Sequence, residues 1–172
     1  MRTPAMRYHI VFPTLFALLA AAATAMAAPH ADFSGAWQLV PDKSTGLPSG
    51  MTQTMTVKQS ADRLDVEVKL GGPGGERTLT DAYIVNGKEA EFTPALMAGG
   101  TPKSGKRISR WQTDGTGFDV TEEALIDSIE GTDTIKGKRT WRLSQDGKEL
   151  TIEIDLQGDQ GPIQSKRVFM KQ

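Results

Sequence analysis

Apolar and polar side chains alternate along most of the chain after residue 30. Segments 64–70 and 150–156 read LDVEVKL and LTIEIDL, so every second side chain is apolar. Because successive side chains of a β-strand point to opposite faces, each segment would present one apolar and one charged face. As an α-helix, either segment would spread its apolar side chains around the whole cylinder. The pattern therefore predicts strands that pack one face on a core.

Turn signals separate these alternating segments. The strongest are NG at 86–87, DG at 146–147 and DGTG at 114–117, because Asn, Asp and Gly tolerate the positive φ of tight hairpin turns. We recognise no helix and no internal repeat after residue 30. About ten strands are predicted, near residues 33–40, 52–59, 63–70, 76–85, 88–93, 106–113, 117–126, 135–144, 149–156 and 163–170.

Consecutive strands joined by short turns form an antiparallel, up-and-down meander. A long meander with one apolar face twists and can close on itself, which removes its exposed edges. We therefore predict an all-β domain in which a single antiparallel meander of about ten strands closes into a β-barrel. A β-sandwich has the same alternation and is the alternative.

The first residues of the chain have the features of a secretory signal peptide. Arg2 and Arg7 supply positive charge, segment 10–23 is almost wholly apolar, and 25–27 reads AMA, the small-x-small form that signal peptidase cleaves. An uncleaved membrane anchor is the alternative. The apolar segment is interrupted by Pro13 and is shorter than the roughly 20 residues that span a bilayer.

Cleavage is expected after Ala27, because Pro29 disfavours a cut after Ala28. This divides the chain into a signal peptide at 1–27 and one β-barrel domain at 28–172. The chain has no cysteine, so it lacks the lipid-modified residue of a bacterial lipoprotein. We expect a periplasmic or secreted protein without a stable membrane anchor after cleavage.

The charge of the chain argues against nucleic acid or anionic membrane as partners. Its net charge is −1, and removal of the two basic residues of the signal peptide lowers it to −3. Two basic clusters, at 103–107 and 136–142, lie among acidic residues, which indicates solvated strand faces. No protein partner can be identified.

The first and last predicted strands carry a resemblance to lipocalins and the wider calycin superfamily. Segment 33–39 reads FSGAWQL, and its Gly35-x-Trp37 looks like the Gly-x-Trp opening of those families. In them, an arginine of the last strand packs across the tryptophan and closes the base of the barrel. Arg167 matches that arginine, so the resemblance implies a structural role for Gly35, Trp37 and Arg167.

A second stretch resembles uncharacterised bacterial secreted lipocalin-like proteins. These proteins open with Ser-Gly-x-Trp-x-Leu and later carry Trp-x-Leu-Ser-x-Asp-Gly-Lys-x-Leu-Thr, which is similar to segment 141–151. The expected ten strands differ from the eight of true lipocalins. They are nearer to the number in intracellular fatty-acid-binding and nitrobindin-like barrels, so the resemblance implies a calycin-like barrel more than a particular ligand.

The residue inventory contains no recognisable catalytic group. His9 belongs to the signal peptide, and His30 lies at a mature terminus that we expect to be frayed. A Ser-His-Asp arrangement, a His/Cys zinc site and an interior haem ligand are therefore not expected. We predict a protein that is not an enzyme, with no cofactor and no metal.

Some charged residues alternate in phase with apolar neighbours. Glu122 is in phase with Phe118 and Val120, Arg139 with Trp141, and Arg110 with Ile108. If these faces line a barrel, the charges point inward and must be paired or must bind something. An internal ion pair or a β-bulge is one interpretation. The other is a ligand-binding group made of Arg110, Glu122, Arg139 and Trp141.

Two functions are consistent with this pattern. The first is binding of a small apolar or amphipathic molecule inside the barrel, reached between the long loops 41–50 and 94–105. The second is a structural or protein-interaction module of the cell envelope, with a filled barrel and no ligand. The volume of the interior cavity distinguishes the two.

Overall fold

The computed structural model describes residues 30–94, 101–129, 131–159 and 161–172. The predicted signal peptide at 1–27 lies outside these residues. Within the described ranges there are ten strands and one 3₁₀ turn. The strands are β1 (Gly35–Leu39), β2 (Thr52–Ser60), β3 (Arg63–Gly71), β4 (Arg77–Ile84), β5 (Glu89–Phe92), β6 (Thr101–Trp111), β7 (Gly117–Ser128), β8 (Gly131–Leu143), β9 (Glu149–Gly158) and β10 (Gly161–Lys171), and the turn is Pro41–Lys43.

All ten strands belong to one antiparallel sheet in the order β4-β3-β2-β1-β10-β9-β8-β7-β6-β5. Because β1 pairs with β10, the first and last strands join and the sheet curls into a nearly closed barrel. The predicted all-β meander is therefore confirmed, and it forms a barrel rather than a sandwich. Among the described strands, β4 and β5 are the two edges of the sheet, and the barrel is open between them.

The alternation of side chains determines which face of each strand is inside. On β3, Leu64 and Val66 are buried while Arg63 and Asp65 are exposed. On β9, Leu150, Ile152, Ile154 and Leu156 are buried in the same way. Burial of these side chains is the main favourable contribution to folding, at roughly 25 cal/mol per Å² of apolar surface.

The predicted hairpin at Asn86-Gly87 is wrong, although the turn itself is present. Gly87 has the expected positive φ of 76°, but β5 pairs with β6 instead of β4. The backbone N–H of Val85 donates to Asp62 beside β3, and that of Gly87 donates to Ser109 on β6. The turn thus carries the chain across the opening of the sheet.

The loops predicted at 41–50 and 94–105 differ from the expectation, because the first contains ordered elements and the second is shorter. Segment 41–50 contains the 3₁₀ turn and an isolated bridge between Thr45 and Lys166. The loop expected at 94–105 is shorter, because β6 already begins at Thr101. The middle of that loop, residues 95–100, lies outside the described residues.

Aromatic side chains fill one end of the barrel. Phe118 packs against Trp141 with their rings 5.2 Å apart, and Phe33 meets the edge of both rings. Trp37 and Phe169 are buried in the same core. This end of the barrel is closed by side chains, so any internal space must lie nearer the other end.

The start of the described chain is fixed to this closed end. The N–H of Ala31 donates to the carbonyl of Gly115, and the side-chain amide of Gln59 donates to the carbonyl of Ala31. The ring of His30 stacks on Trp111 at a centroid distance of 4.3 Å. The expected frayed terminus at His30 is therefore wrong.

The cation that faces Trp37 is Lys171 and not the predicted Arg167. Trp37 lies directly opposite Lys171 in the β1–β10 ladder, and the Lys171 ammonium is 5.3 Å from the indole centroid. Arg167, four residues earlier, lies opposite Ile152 of β9. Gly35 has a φ of 136°, a backbone conformation that residues with a side chain rarely adopt, so glycine is required there.

We predict that Gly137→Ala destabilises the barrel. An added β-carbon would overlap the backbone carbonyl oxygen of Asp155 and lie 2.7 Å from Cα of Leu156, and backbone cannot move aside as a side-chain end can. We expect a loss of about 1–3 kcal/mol in the free energy of unfolding, measured by urea denaturation. Gly74→Ala is the control, because its β-carbon would meet nothing within 4 Å. Equal stability of the two variants would contradict the close approach at Gly137.

Candidate ligand-binding site

A cavity of about 980 Å³ occupies the barrel between the aromatic core and the open end. This volume is at the upper end of the usual range for small-molecule sites, which is roughly 300–1,000 Å³. The walls are mainly apolar and come from strands all around the barrel; they include Met55, Val68, Leu79, Ile135, Ile154 and Leu156. The interior can therefore hold the apolar part of a ligand.

The mouth of the cavity lies at the hairpins β3–β4, β7–β8 and β9–β10. Pro73, Ile129 and Ile163 from these three hairpins line it, together with Pro48 from the loop 41–50. Ile129 is fully exposed. The position of Pro48 agrees with the predicted access beside loop 41–50, whereas residues 95–100 of the other loop lie outside the described part of the chain.

Glu122 and Arg139 both point into the barrel and form an ion pair. Nε of Arg139 donates to Oε1 of Glu122 at 2.7 Å, and the Glu122 side chain is only 5% exposed. Burial lowers the pKa of Arg139, but the neighbouring Tyr83 and Glu122 outweigh burial and raise that pKa above its ordinary value. Arg139 lines the cavity and remains charged there.

Trp141 lies at the boundary between the aromatic core and the cavity. It is buried, it lines the cavity, and its indole N–H has no hydrogen-bond partner among the described residues. A buried N–H donor without a partner costs free energy, so this group favours a ligand that brings an acceptor.

Arg110 is not part of the site. It is exposed on the outer face of β6, opposite Asp119 of β7. The inward positions of β6 are Gly105, Arg107 and Ser109, and none of them has an apolar side chain. Ile108, the apolar residue from which the phase of β6 was inferred, faces outward, and this explains the wrong prediction.

The residue that sequence reasoning missed is Arg107 of β6, which bridges to the edge strand β4 across the opening of the sheet. Its side chain is 2% exposed, and its guanidinium group makes two contacts of 3.0 Å with the Asp81 carboxylate of β4. It also lies 3.6 Å from the ring centroid of Phe92 and 4.7 Å from that of Tyr83. Phe92 fits there because Gly105 has no side chain: an added β-carbon would be 2.6 Å from Cζ of the ring. No spacing signal could have identified a pair so far apart in the sequence.

Arg167 lines the cavity and is paired with an amide. Its NH1 donates to Oε1 of Gln53 at 3.3 Å, and its Nε has no hydrogen-bond partner within the described ranges. Burial and the positive charge of Arg139 lower the pKa of Arg167 below its ordinary value. In the described part of the chain, no carboxylate pairs with Arg167.

The fold and the site define a class of protein. In the described residues, a ten-stranded antiparallel meander wraps around an internal cavity, which places the protein among the nearly closed, up-and-down β-barrels. Within the residues that the structure describes, no group of three or more His, Asp or Glu side chains could hold a metal ion. None of the helical segments found there is long and apolar enough to cross a membrane.

Comparison with known proteins gives matches of structure only. No family model matches the chain, and no curated protein is significantly similar to it. Zebrafish ileal bile acid-binding protein in complex with cholic acid is similar at a TM-score of 0.47 and 19% identity, over 81% of this chain and 98% of the other. Secretory abundant heat soluble protein 4 from Ramazzottius varieornatus is similar at a TM-score of 0.44 and 12% identity, over 81% of this chain and 94% of the other.

We predict that Glu122→Gln destabilises the protein far more than Glu123→Gln does. The first change leaves the half-buried Arg139 without its counter-charge, and loss of one partner from a buried pair costs about 3 kcal/mol or more. Glu123 forms an exposed pair with Lys136 on the outer face, and such a pair contributes less than about 1 kcal/mol. Urea unfolding of the two variants measures the difference. If both variants lose the same free energy, the Glu122–Arg139 pair does not stabilise the barrel.

Proposed function

We propose that the protein binds one small amphipathic molecule inside the barrel. The observation that carries this proposal is the large apolar cavity with a few polar groups at one level of its wall. Trp141, Ile152 and Arg167 are consecutive cross-strand neighbours, and Arg139 lies opposite Ile154, two residues nearer the mouth. The polar end of the ligand lies at this level, and its apolar part extends toward the mouth.

The polar end of the ligand is anionic in this proposal. Arg167 has no carboxylate partner in the described residues, and Trp141 offers an unpartnered N–H donor. An acidic group at this level accepts hydrogen bonds and balances the buried charge, and charge-assisted bonds are stronger than neutral ones. This supports a carboxylate, sulfate or similar group on the ligand.

The filled-barrel alternative is less well supported. A purely structural or interaction module would pack its interior with side chains, and here they fill only the closed end. The proposal also includes export: Arg2, Arg7, the apolar segment 10–23 and the AMA sequence at 25–27 support a cleaved signal peptide and a periplasmic or secreted protein.

Filling the cavity is expected to abolish binding. Val68→Trp places a large ring among the apolar walls, whereas Lys69→Trp places the same ring on the outer face of the same strand. We expect Val68→Trp to weaken the binding of both dodecanoate and dodecan-1-ol by at least about tenfold, equal to about 1.4 kcal/mol, and Lys69→Trp to leave it unchanged. Displacement of 1-anilinonaphthalene-8-sulfonate fluorescence measures both ligands. Binding that survives Val68→Trp, or no binding to the unaltered protein, would contradict the proposal.

Removal of the unpaired charge is expected to affect anionic ligands alone. Arg167→Met should weaken dodecanoate binding by about 10- to 100-fold, which corresponds to the roughly 1.5–3 kcal/mol of a hydrogen bond to a charged group. Dodecan-1-ol binding should change little. Lys166→Met removes the same charge from the neighbouring exposed position and is the control. An equal loss in both variants would mean that only the overall charge matters.

A further inference from the structure

Among the described residues, the guanidinium groups of Arg107, Arg139 and Arg167 point into the barrel, and their partners differ in charge. Arg107 is paired with the carboxylate of Asp81, and Arg139 with that of Glu122. Arg167 contacts the side-chain amide of Gln53. Two of the three positive charges are therefore balanced within the protein and the third is not.

We propose that Gln53 is a specificity-determining residue. By giving Arg167 an uncharged hydrogen-bond partner, it leaves one uncompensated positive charge in the cavity, and this charge selects a monoanionic amphiphile over neutral or cationic molecules of the same shape. This inference rests on the proposed binding function and goes further by assigning the charge selection to one side chain.

The position of Gln53 suits this role. Its side chain is buried and lines the cavity, and its backbone carbonyl accepts a hydrogen bond from the side chain of Gln38 at 3.3 Å. Its cross-strand partner on β3 is the apolar Leu70, which brings no charge. A glutamate at position 53 would have the same length and would reach Arg167 as a third internal ion pair.

The electrostatics around Arg167 agree with an uncompensated charge. Burial, the nearby Arg139 and the phenol of Tyr83 are the influences on the pKa of Arg167, and their balance lowers it. For Arg139, in contrast, the carboxylates of Glu122 and Asp81 favour the charged form. An anionic group on the ligand would give Arg167 the counter-charge that Glu122 gives Arg139.

The test compares three ligands of one chain length on matched variants. Dodecanoate, dodecan-1-ol and dodecylammonium are titrated at neutral pH into the unaltered protein, Gln53→Glu and Thr54→Glu. Thr54 is exposed on the outer face of the same strand, so Thr54→Glu adds the same charge outside the barrel. We expect Gln53→Glu to weaken dodecanoate binding by at least about tenfold and to change dodecan-1-ol binding less than about threefold, because the new carboxylate occupies Arg167. Thr54→Glu should change neither.

Gln53→Met provides a second measurement that does not add a buried charge. It leaves Arg167 unpaired, so the preference for dodecanoate over dodecan-1-ol should persist, and this variant decides the question if Gln53→Glu does not fold. Loss of the preference in Gln53→Met would overturn the inference. So would equal binding of the three ligands to the unaltered protein, or an equal effect of Gln53→Glu and Thr54→Glu. Each of these results leaves the binding function standing, whereas absence of all binding would refute the function itself.

Discussion

A charged guanidinium group inside a barrel needs a partner, and this constraint shapes both the closure of the sheet and the cavity. Taking a charge out of water costs several kcal/mol unless an opposite charge or hydrogen bonds replace the lost hydration. Arg107 of β6 meets this requirement across the opening of the sheet, through its contact with Asp81 of the edge strand β4. Arg139 meets it within the wall, through Glu122. The opening between the edge strands is the one seam among the described strands, and it is thus bridged by the same kind of interaction that gives the cavity its polar level.

The strands could be predicted because the alternation of apolar and polar side chains is a property of neighbouring residues in the sequence. On β7 and β8 the inward positions are mostly apolar, so the phase of Glu122, Arg139 and Trp141 was readable from their neighbours. On β6 the rule fails, since the strand lies at the seam and uses its inward positions for Arg107 and Ser109. Pairing across the seam is also not local: a glycine turn predicts that the chain reverses, but it does not predict which strand the chain then joins.

The register of the last strand shows where the family resemblance stops being informative. A resemblance identifies a cation on β10 near Trp37, but Arg167 and Lys171 both lie on this strand, four residues apart and on the same face. The pairing of Trp37 with Lys171 moves Arg167 up to the level of the cavity. Arg167, which was expected to close the base of the barrel, therefore faces the cavity instead. Its partner there is Gln53, which no sequence pattern had indicated.

Side chains fill one end of the barrel, whereas the other end is hollow. At the closed end, the segment around Phe33 packs an aromatic ring against the edges of the stacked Phe118 and Trp141 rings, and the hydrogen bonds of Ala31 and Gln59 hold it there. At the other end, strands β7 to β10 extend beyond this core, and a cavity remains between their inward side chains, which are mainly aliphatic with a few polar and charged groups. The aromatic packing of the barrel therefore lies in the filled half, whereas the hollow half leaves the space that the proposed ligand would occupy.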